Sequence, residues 1–263
     1  MPPIKTNSIN INYELDGKGP VVVFINGLTM TTAGWVYQIK PFTERYRVLR
    51  YDCRGQGDSD KPTEEYSQEI HTEDLYHLLL CLDIEKAHII GLSNGGMIAQ
   101  HFALKYPEIT GALVLVDTCS YVGKLLELTV LSWIKATEAG GNDLRYDVLL
   151  PQIFSESFIE NNLELIKNMK EFSSEINTPE AVVNLAKASI SHDLRSEVSN
   201  IKSPTLIIAG EQDILIPPRY SRILNEEIEN SELVIIKDCA HVPPIEKPDE
   251  FNSIVLDFLY KHD

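Results

Sequence analysis

Five short, largely apolar runs constrain the fold of this chain more than any other feature of its sequence. They occupy residues 21–25, 87–90, 112–116, 205–209 and 233–236. A strand that is buried on both faces reads as a continuous apolar run rather than as an alternation. Helical patterns lie between the runs, as in residues 75–82, where leucines recur at helical spacing. Alternating strands and helices predict an α/β fold, with a mostly parallel sheet and helices on both of its faces.

The N-terminal stretch 8–15 has a different pattern, in which polar and apolar residues alternate. Such alternation indicates a strand with one face on the core and the other in solvent. Because the turn signal Asp16-Gly17 follows directly, we predict an antiparallel hairpin at the edge of the sheet.

Residues 119–200 contain no strand-like run, but they carry several helical signals. Ser157 and Glu160 have the spacing of a capping box, and Thr178-Pro179 is typical of a helix start. The sequence therefore predicts a core made of residues 1–118 and 201–263, with a helical insertion at 119–200 between two strands of the sheet.

The pentapeptide Gly91-Leu92-Ser93-Asn94-Gly95 lies between a predicted strand and a predicted helix. In a G-x-S-x-G motif at such a turn, the serine is held exposed and its small neighbours let the strand and the helix approach closely. The helix N-terminus also favours negative charge near the serine. We therefore interpret Ser93 as a nucleophile, with Gly91 and Gly95 forming its turn. The alternative is a glycine-rich turn with an ordinary capping serine.

A serine hydroxyl needs a base to take its proton, and His241 is the candidate among the seven histidines. It follows the last predicted strand, at the edge where the carboxyl ends of parallel strands gather the functional groups. Asp213 follows the preceding strand, which gives the chain order Ser93, Asp213, His241. A carboxylate in that place would fix the imidazole tautomer and stabilise the imidazolium. Asp117, at the end of another strand, and Glu211 are rival acids.

A tetrahedral intermediate also needs hydrogen-bond donors for its oxyanion. Asn26-Gly27-Leu28 ends the first buried run, and the backbone N–H groups of Leu28 and Asn94 are the predicted donors. Asn26 can equally be a simple turn residue without a catalytic role. Chemistry of this kind requires no metal and no organic cofactor.

Charge and composition narrow the range of partners. The chain carries 39 acidic and 23 basic residues, a formal net charge of -16. Such a surface repels phosphate backbones and anionic lipid, which argues against nucleic-acid and membrane partners, and no apolar run approaches the roughly 18 residues of a membrane span. Four scattered cysteines and an N-terminus without an apolar stretch predict a cytoplasmic protein. A local basic patch around Arg145 or Arg195 could still attract an acidic carrier protein.

Together these motifs resemble the α/β-hydrolase superfamily over essentially the whole chain. Residues 52–59, Asp-Cys-Arg-Gly-Gln-Gly-Asp-Ser, are similar to the D-x-R-G-x-G-x-S loop of that family, which is usually structural. Within the superfamily, the 3-oxoadipate enol-lactonase-like branch is the nearest resemblance, carried by the stretches 25–28, 49–52 and 91–93. Gly27 and Asn94 depart from the serine and the methionine that are common at these places. The resemblance implies that residues 119–200 form a helical cap over an active site.

The function predicted from these residues is hydrolysis of a small carboxylic ester or lactone through an acyl-enzyme on Ser93. Because one fold hosts many reactions, the same triad also allows a thioesterase, a carbon–carbon bond hydrolase or a cofactor-free perhydrolase. A small-molecule receptor with slow turnover is the remaining alternative, which a complete triad disfavours.

Overall fold

The computed structural model describes residues 2–263. Seven of the nine strands in these residues form a central sheet. The strands are β1 (Ile4–Thr6), β2 (Ile9–Ile11), β3 (Tyr13–Gly17), β4 (Val21–Ile25), β5 (Arg47–Tyr51), β6 (Ala87–Leu92), β7 (Thr110–Val116), β8 (Thr205–Gly210) and β9 (Ser231–Ile236). Their order in the large sheet is β3-β5-β4-β6-β7-β8-β9, while β1 and β2 form a separate pair. β3 runs antiparallel to β5, and the other neighbours are parallel. The predicted mostly parallel α/β sheet is confirmed.

The helices are α1 (Val36–Thr43), α2 (Gln68–Cys81), α3 (Asn94–Lys105), α4 (Lys124–Ile153), α5 (Glu156–Asn161), α6 (Leu163–Ile176), α7 (Pro179–Ile190), α8 (Pro218–Glu227), α9 (Pro243–Glu246) and α10 (Pro248–Tyr260). Five of them cover the two faces of the sheet. α2, α3 and α8 pack on one face, and α1 and α10 on the other. Within β4, Val23 and Ile25 belong to the first apolar cluster, whereas Val22 and Phe24 belong to the second. Both faces of the strand are thus buried, which explains its continuous apolar run.

The hairpin predicted at residues 16–17 is wrong, because β5 lies between β3 and β4 in the sheet. Arg50 on β5 is buried and forms ion pairs with Glu14 and, at 2.8 Å, with Asp16, which hold β3 against β5. A tight hairpin is present instead earlier in the chain, between β1 and β2. Its turn is at residues 7–8, where both φ angles are positive, as the tight turns of hairpins require.

The helices α4 to α7 lie between β7 and β8, in the region where the sequence predicted a helical insertion. α4 consists of two helical parts that meet at a kink, because Gly140 and Gly141 leave the helical conformation; the φ of Gly141 is 69°. The kink separates residues 124–139 from residues 142–153. Although α4 has 30 residues, neither it nor any other helix in residues 2–263 is long and apolar enough to cross a membrane.

Candidate active site

Ser93 occupies a sharp turn between β6 and α3. Its φ of 56° and ψ of -116° lie outside the regions that residues with a side chain ordinarily adopt, a strain of about 1–3 kcal/mol that recurs at functional sites. The Ser93 N–H donates to the carbonyl of Val116 at 2.8 Å, which ties the turn to the neighbouring strand. A Cβ on Gly91 would lie 2.2 Å from the carbonyl oxygen of Gly95, and one on Gly95 would lie 2.2 Å from that of Ile25. Glycine at both positions is therefore what lets the strand and the helix meet.

His241 and Asp213 form a buried pair in the loops that follow β9 and β8. The Nδ1 of His241 lies 2.7 Å from Oδ2 of Asp213. The other carboxylate oxygen of Asp213 accepts the backbone N–H groups of Leu215 at 2.8 Å and Ile216 at 3.0 Å. Burial alone would raise the pKa of Asp213, but His241 and these hydrogen bonds lower it below its usual value. Asp213 is thus held ionised, and Nε2 of His241 is left for another partner.

Of the two rival acids, Glu211 is exposed, whereas Asp117 is fully buried next to Asp213. Oδ1 of Asp117 accepts the N–H of Gly210 at 2.9 Å. Burial, and then the negative charge of Asp213, raise the pKa of Asp117 well above its usual value. Asp117 is therefore held as a neutral acid, and it is Asp213 that pairs with the imidazole.

The same three side chains, Asp117, Asp213 and His241, place their potential ligand atoms within 4.8 Å of one another. Both oxygens of Asp213 are already engaged, one by His241 and one by backbone N–H groups. A metal ion would have to displace the hydrogen bond between Asp213 and His241. The donor set consequently fits the hydrogen-bonded pair of Asp213 and His241 better than a metal centre.

The Gly27–Leu28 peptide is oriented by a buried glutamine. Nε2 of Gln56 donates to the carbonyl oxygen of Gly27 at 2.7 Å, and Met30 N–H donates to the same oxygen at 3.2 Å. Because the carbonyl and the N–H of a trans peptide point in opposite directions, the N–H of Leu28 is turned away from Gln56. Within residues 2–263, neither this N–H nor that of Asn94 donates to a protein acceptor. Both N–H groups, the predicted oxyanion donors, are therefore without an acceptor in this part of the chain.

A cavity of about 270 Å³ joins these groups, and Ser93, His241 and Leu28 contribute to its wall. The remaining lining is mostly apolar and comes mainly from the loop after β4 and from α4 and α6. A basic surface patch at Arg145, one of the two places suggested by the sequence, is wrong. Arg145 is 3% exposed and lines this cavity, whereas Arg195 lies outside it, paired with Asp193 at 2.5 Å.

Residues 20–248 match the alpha/beta hydrolase fold family. This chain is an α/β-hydrolase. Among characterised relatives it is 27% identical to 3-oxoadipate enol-lactonase 2 of Acinetobacter baylyi, over 96% of this chain and 94% of the relative. It is 26% identical to a putative carbamate hydrolase of Agrobacterium fabrum, over 96% and 98% of the two chains.

A solved structure gives the same result for the fold of this α/β-hydrolase. The α/β-hydrolase MGS-M2 from a deep-sea metagenome library superposes with a TM-score of 0.93 and 32% identity, covering 99% of this chain and 98% of the other. The resemblance to the superfamily seen in the sequence motifs is confirmed, as is the likeness to the enol-lactonase branch. A lactonase and a putative carbamate hydrolase are nearly equally identical to this chain, so overall identity does not select the substrate.

Sequence reasoning missed one residue of this site, Gln56, and placed another, Arg145, on the surface. Gln56 occupies a variable position of the loop at residues 52–59, and its partner Gly27 is 29 residues away in the chain. The only signal in the sequence was the loop motif itself, which gave no reason to single out its glutamine. Arg145 carried no signal of burial, because it lies among polar residues after the glycine pair in α4.

Replacing Gln56 by leucine is expected to lower kcat by about 10- to 100-fold, because the Leu28 N–H loses its fixed direction toward the oxyanion. KM for the same ester should change much less, since the substrate cavity keeps its shape. The matched control is Gln38→Leu, which removes an equally buried amide that donates to Asn252 at 3.1 Å and does not line the cavity. Steady-state kinetics with thermal melting would check this. Equal loss of kcat in both variants would mean that Gln56 acts through stability alone.

Proposed function

We propose that this α/β-hydrolase cleaves a small carboxylic ester or lactone through an acyl-enzyme on Ser93. The proposal rests on the positions of two side chains. Ser93, on its strained turn, and His241, which is paired with Asp213, line the same cavity. Two unengaged backbone N–H groups, of Leu28 and Asn94, supply the donors that a tetrahedral intermediate requires.

The proposed reaction begins when Oγ of Ser93 attacks the substrate carbonyl while Nε2 of His241 takes its proton. Asp213 holds the other ring nitrogen and stabilises the imidazolium. The carbonyl oxygen becomes negative and accepts from the N–H groups of Leu28 and Asn94. The intermediate then collapses to the acyl-enzyme, and the leaving alkoxide takes the proton from His241. Water, activated by the same histidine, releases the acid and restores Ser93.

An ester or lactone is favoured among acyl substrates by two observations. The likeness to a 3-oxoadipate enol-lactonase extends over nearly the whole length of both chains. The cavity is small and mostly apolar, as expected for a compact organic acyl group. A lactone would follow the same steps, except that its alcohol stays attached to the acyl group and the product is a single hydroxy or oxo acid.

Intact-protein mass spectrometry is the direct test of this proposal. Brief acid quenching during turnover of a p-nitrophenyl ester should trap the protein with the mass of one added acyl group, and peptide mapping should place that group on Ser93. Cys81 is the exposed thiol of the chain, so Cys81→Ser serves as the control and should acquire the same label. Label that stays with Ser93→Ala but is lost with Cys81→Ser would show that the proposed nucleophile is wrong. Parallel ester and lactone panels then rank the two substrate types.

A further inference from the structure

The cavity contains a buried guanidinium without a counter-ion. Arg145 is 3% exposed, and its one hydrogen bond within residues 2–263 is a long one, 3.4 Å from Nη1 to Oγ1 of Thr29. Its Nε and Nη2 atoms are buried and have no protein partner. No aspartate or glutamate among the described residues forms an ion pair with it. A guanidinium has five N–H groups, one on Nε and two on each terminal nitrogen, in a fixed plane suited to a two-oxygen anion, and most of them are unused here.

An unpaired buried charge is unfavourable for folding, so its retention in a cavity needs a reason. Burial lowers the pKa of Arg145 to about 10, which still leaves the side chain positively charged at neutral pH. The neighbouring Tyr146 has a buried hydroxyl without a partner, and burial raises its pKa to about 12, so it stays a neutral donor. Arg145 and Tyr146 both line the cavity that contains Ser93 and His241.

The backbone around Arg145 is fixed relative to the candidate oxyanion site. The kink at Gly141 starts the helical part that carries Arg145. Just after the kink, Nδ2 of Asn142 donates to the carbonyl oxygen of Asn177 at 2.6 Å, and Nδ2 of Asn177 donates to that of Thr29 at 3.2 Å. Thr29 directly follows Leu28, the candidate oxyanion donor. These contacts set the position of the guanidinium with respect to the carbonyl that Ser93 would attack.

We propose that Arg145, together with the Tyr146 hydroxyl, binds a carboxylate that the substrate carries in addition to its ester or lactone group. The proposal rests on the proposed function for the reacting end of the substrate. Among residues 2–263, Arg145 is the one arginine or lysine that lines the cavity, which matches a single negative charge. Because the chain has a formal net charge of -16, its overall field repels anions, and recognition must come from this local guanidinium.

The kinetic test compares pairs of esters that differ by one carboxylate. For the wild type, kcat/KM is measured for p-nitrophenyl monoesters of succinic, glutaric and adipic acids, and for the p-nitrophenyl esters of butyric, pentanoic and hexanoic acids. The quantity of interest is the ratio of the charged to the neutral ester at each length. Arg145→Met should lower this ratio by about 10- to 100-fold at the preferred length, the effect of losing hydrogen bonds to a charged group. Arg145→Lys keeps the charge without the planar fork and should fall in between.

Arg195→Met is the matched control, because it also removes one positive charge but from an exposed arginine outside the cavity. The ratio of kcat/KM for the charged ester to that for the neutral ester should be the same in Arg195→Met as in the wild type. The melting temperature of Arg145→Met should be equal to or higher than that of the wild type, since an apolar side chain replaces an unpaired buried charge. A purely structural role for Arg145 predicts the opposite shift. A ratio that is the same in the wild type and in Arg145→Met overturns the proposal.

A binding measurement separates this proposal from the proposed function. Isothermal titration of the Ser93→Ala protein with monomethyl adipate and with dimethyl adipate requires no turnover. The monoanion should bind about 10-fold or more tightly than the neutral diester, and Arg145→Met in the same background should remove the difference. Equal affinities would overturn the carboxylate subsite. If both ester series resist hydrolysis while the monoanion binds through Arg145, the proposed hydrolysis fails and the subsite stands.

Discussion

Ser93→Ala is expected to lower kcat for ester hydrolysis by about 10,000-fold or more, because the variant has no atom that can form the acyl-enzyme. The side chain of Ser93 makes no capping hydrogen bond at the start of α3, so removing its hydroxyl should leave the fold intact. We expect a melting temperature close to that of the wild type. Initial rates with a p-nitrophenyl ester, measured beside circular dichroism, check both statements.

A matched serine controls for the loss of a buried hydroxyl. Ser221 in α8 is fully buried, its hydroxyl has no hydrogen-bond partner in the described chain, and it lies outside the cavity. Ser221→Ala should therefore keep its kcat. Retention of substantial activity by Ser93→Ala would refute the nucleophile assignment, and equal losses in the two variants would point to a folding defect.

The second large effect is expected at Asp213, the acid of the proposed triad. Asp213→Asn should lower kcat by about 1,000- to 10,000-fold, because an amide that offers N–H to Nδ1 of His241 favours the wrong imidazole tautomer. The amide oxygen can still accept from the backbone N–H groups of Leu215 and Ile216, so the loop should keep its conformation. The loss should therefore appear in kcat, with little change in melting temperature.

Asp117→Asn is the control that distinguishes the two buried aspartates. Since burial and the charge of Asp213 raise the pKa of Asp117 and keep it neutral, its amide replacement preserves both the lack of charge and an oxygen that accepts from the N–H of Gly210. We expect kcat to stay within about 10-fold of the wild type, given the usual size of a changed neutral hydrogen bond. A larger loss in Asp117→Asn than in Asp213→Asn would reverse the assignment of the acid.

Some features of this protein are local in the chain, and these were predictable. The β6 strand, the turn at Ser93 and the helix α3 are consecutive in sequence, and the glycines that permit their contact are part of the same pentapeptide. The mostly parallel sheet was predictable because strands such as β4 bury both faces and read as continuous apolar runs. The edge hairpin was wrongly predicted because the alternation of polar and apolar residues does not show which strand is the neighbour. In the structure β3 pairs with β5, and Arg50 on β5 forms an ion pair with Asp16 on β3.

The sequence by itself determined the order of strands and helices, the turn that carries Ser93, and the edge of the sheet to which Asp213 and His241 belong. Only the tertiary structure decided which aspartate contacts the imidazole, since Asp117 and Asp213 both follow parallel strands and differ in side-chain direction. The tertiary structure alone placed Arg145 in the cavity. It does so through a helix kink at Gly141, which helical periodicity in the sequence does not encode. The physical reason is that backbone pattern follows from neighbours in the chain, whereas burial and hydrogen-bond partners depend on residues that folding brings together.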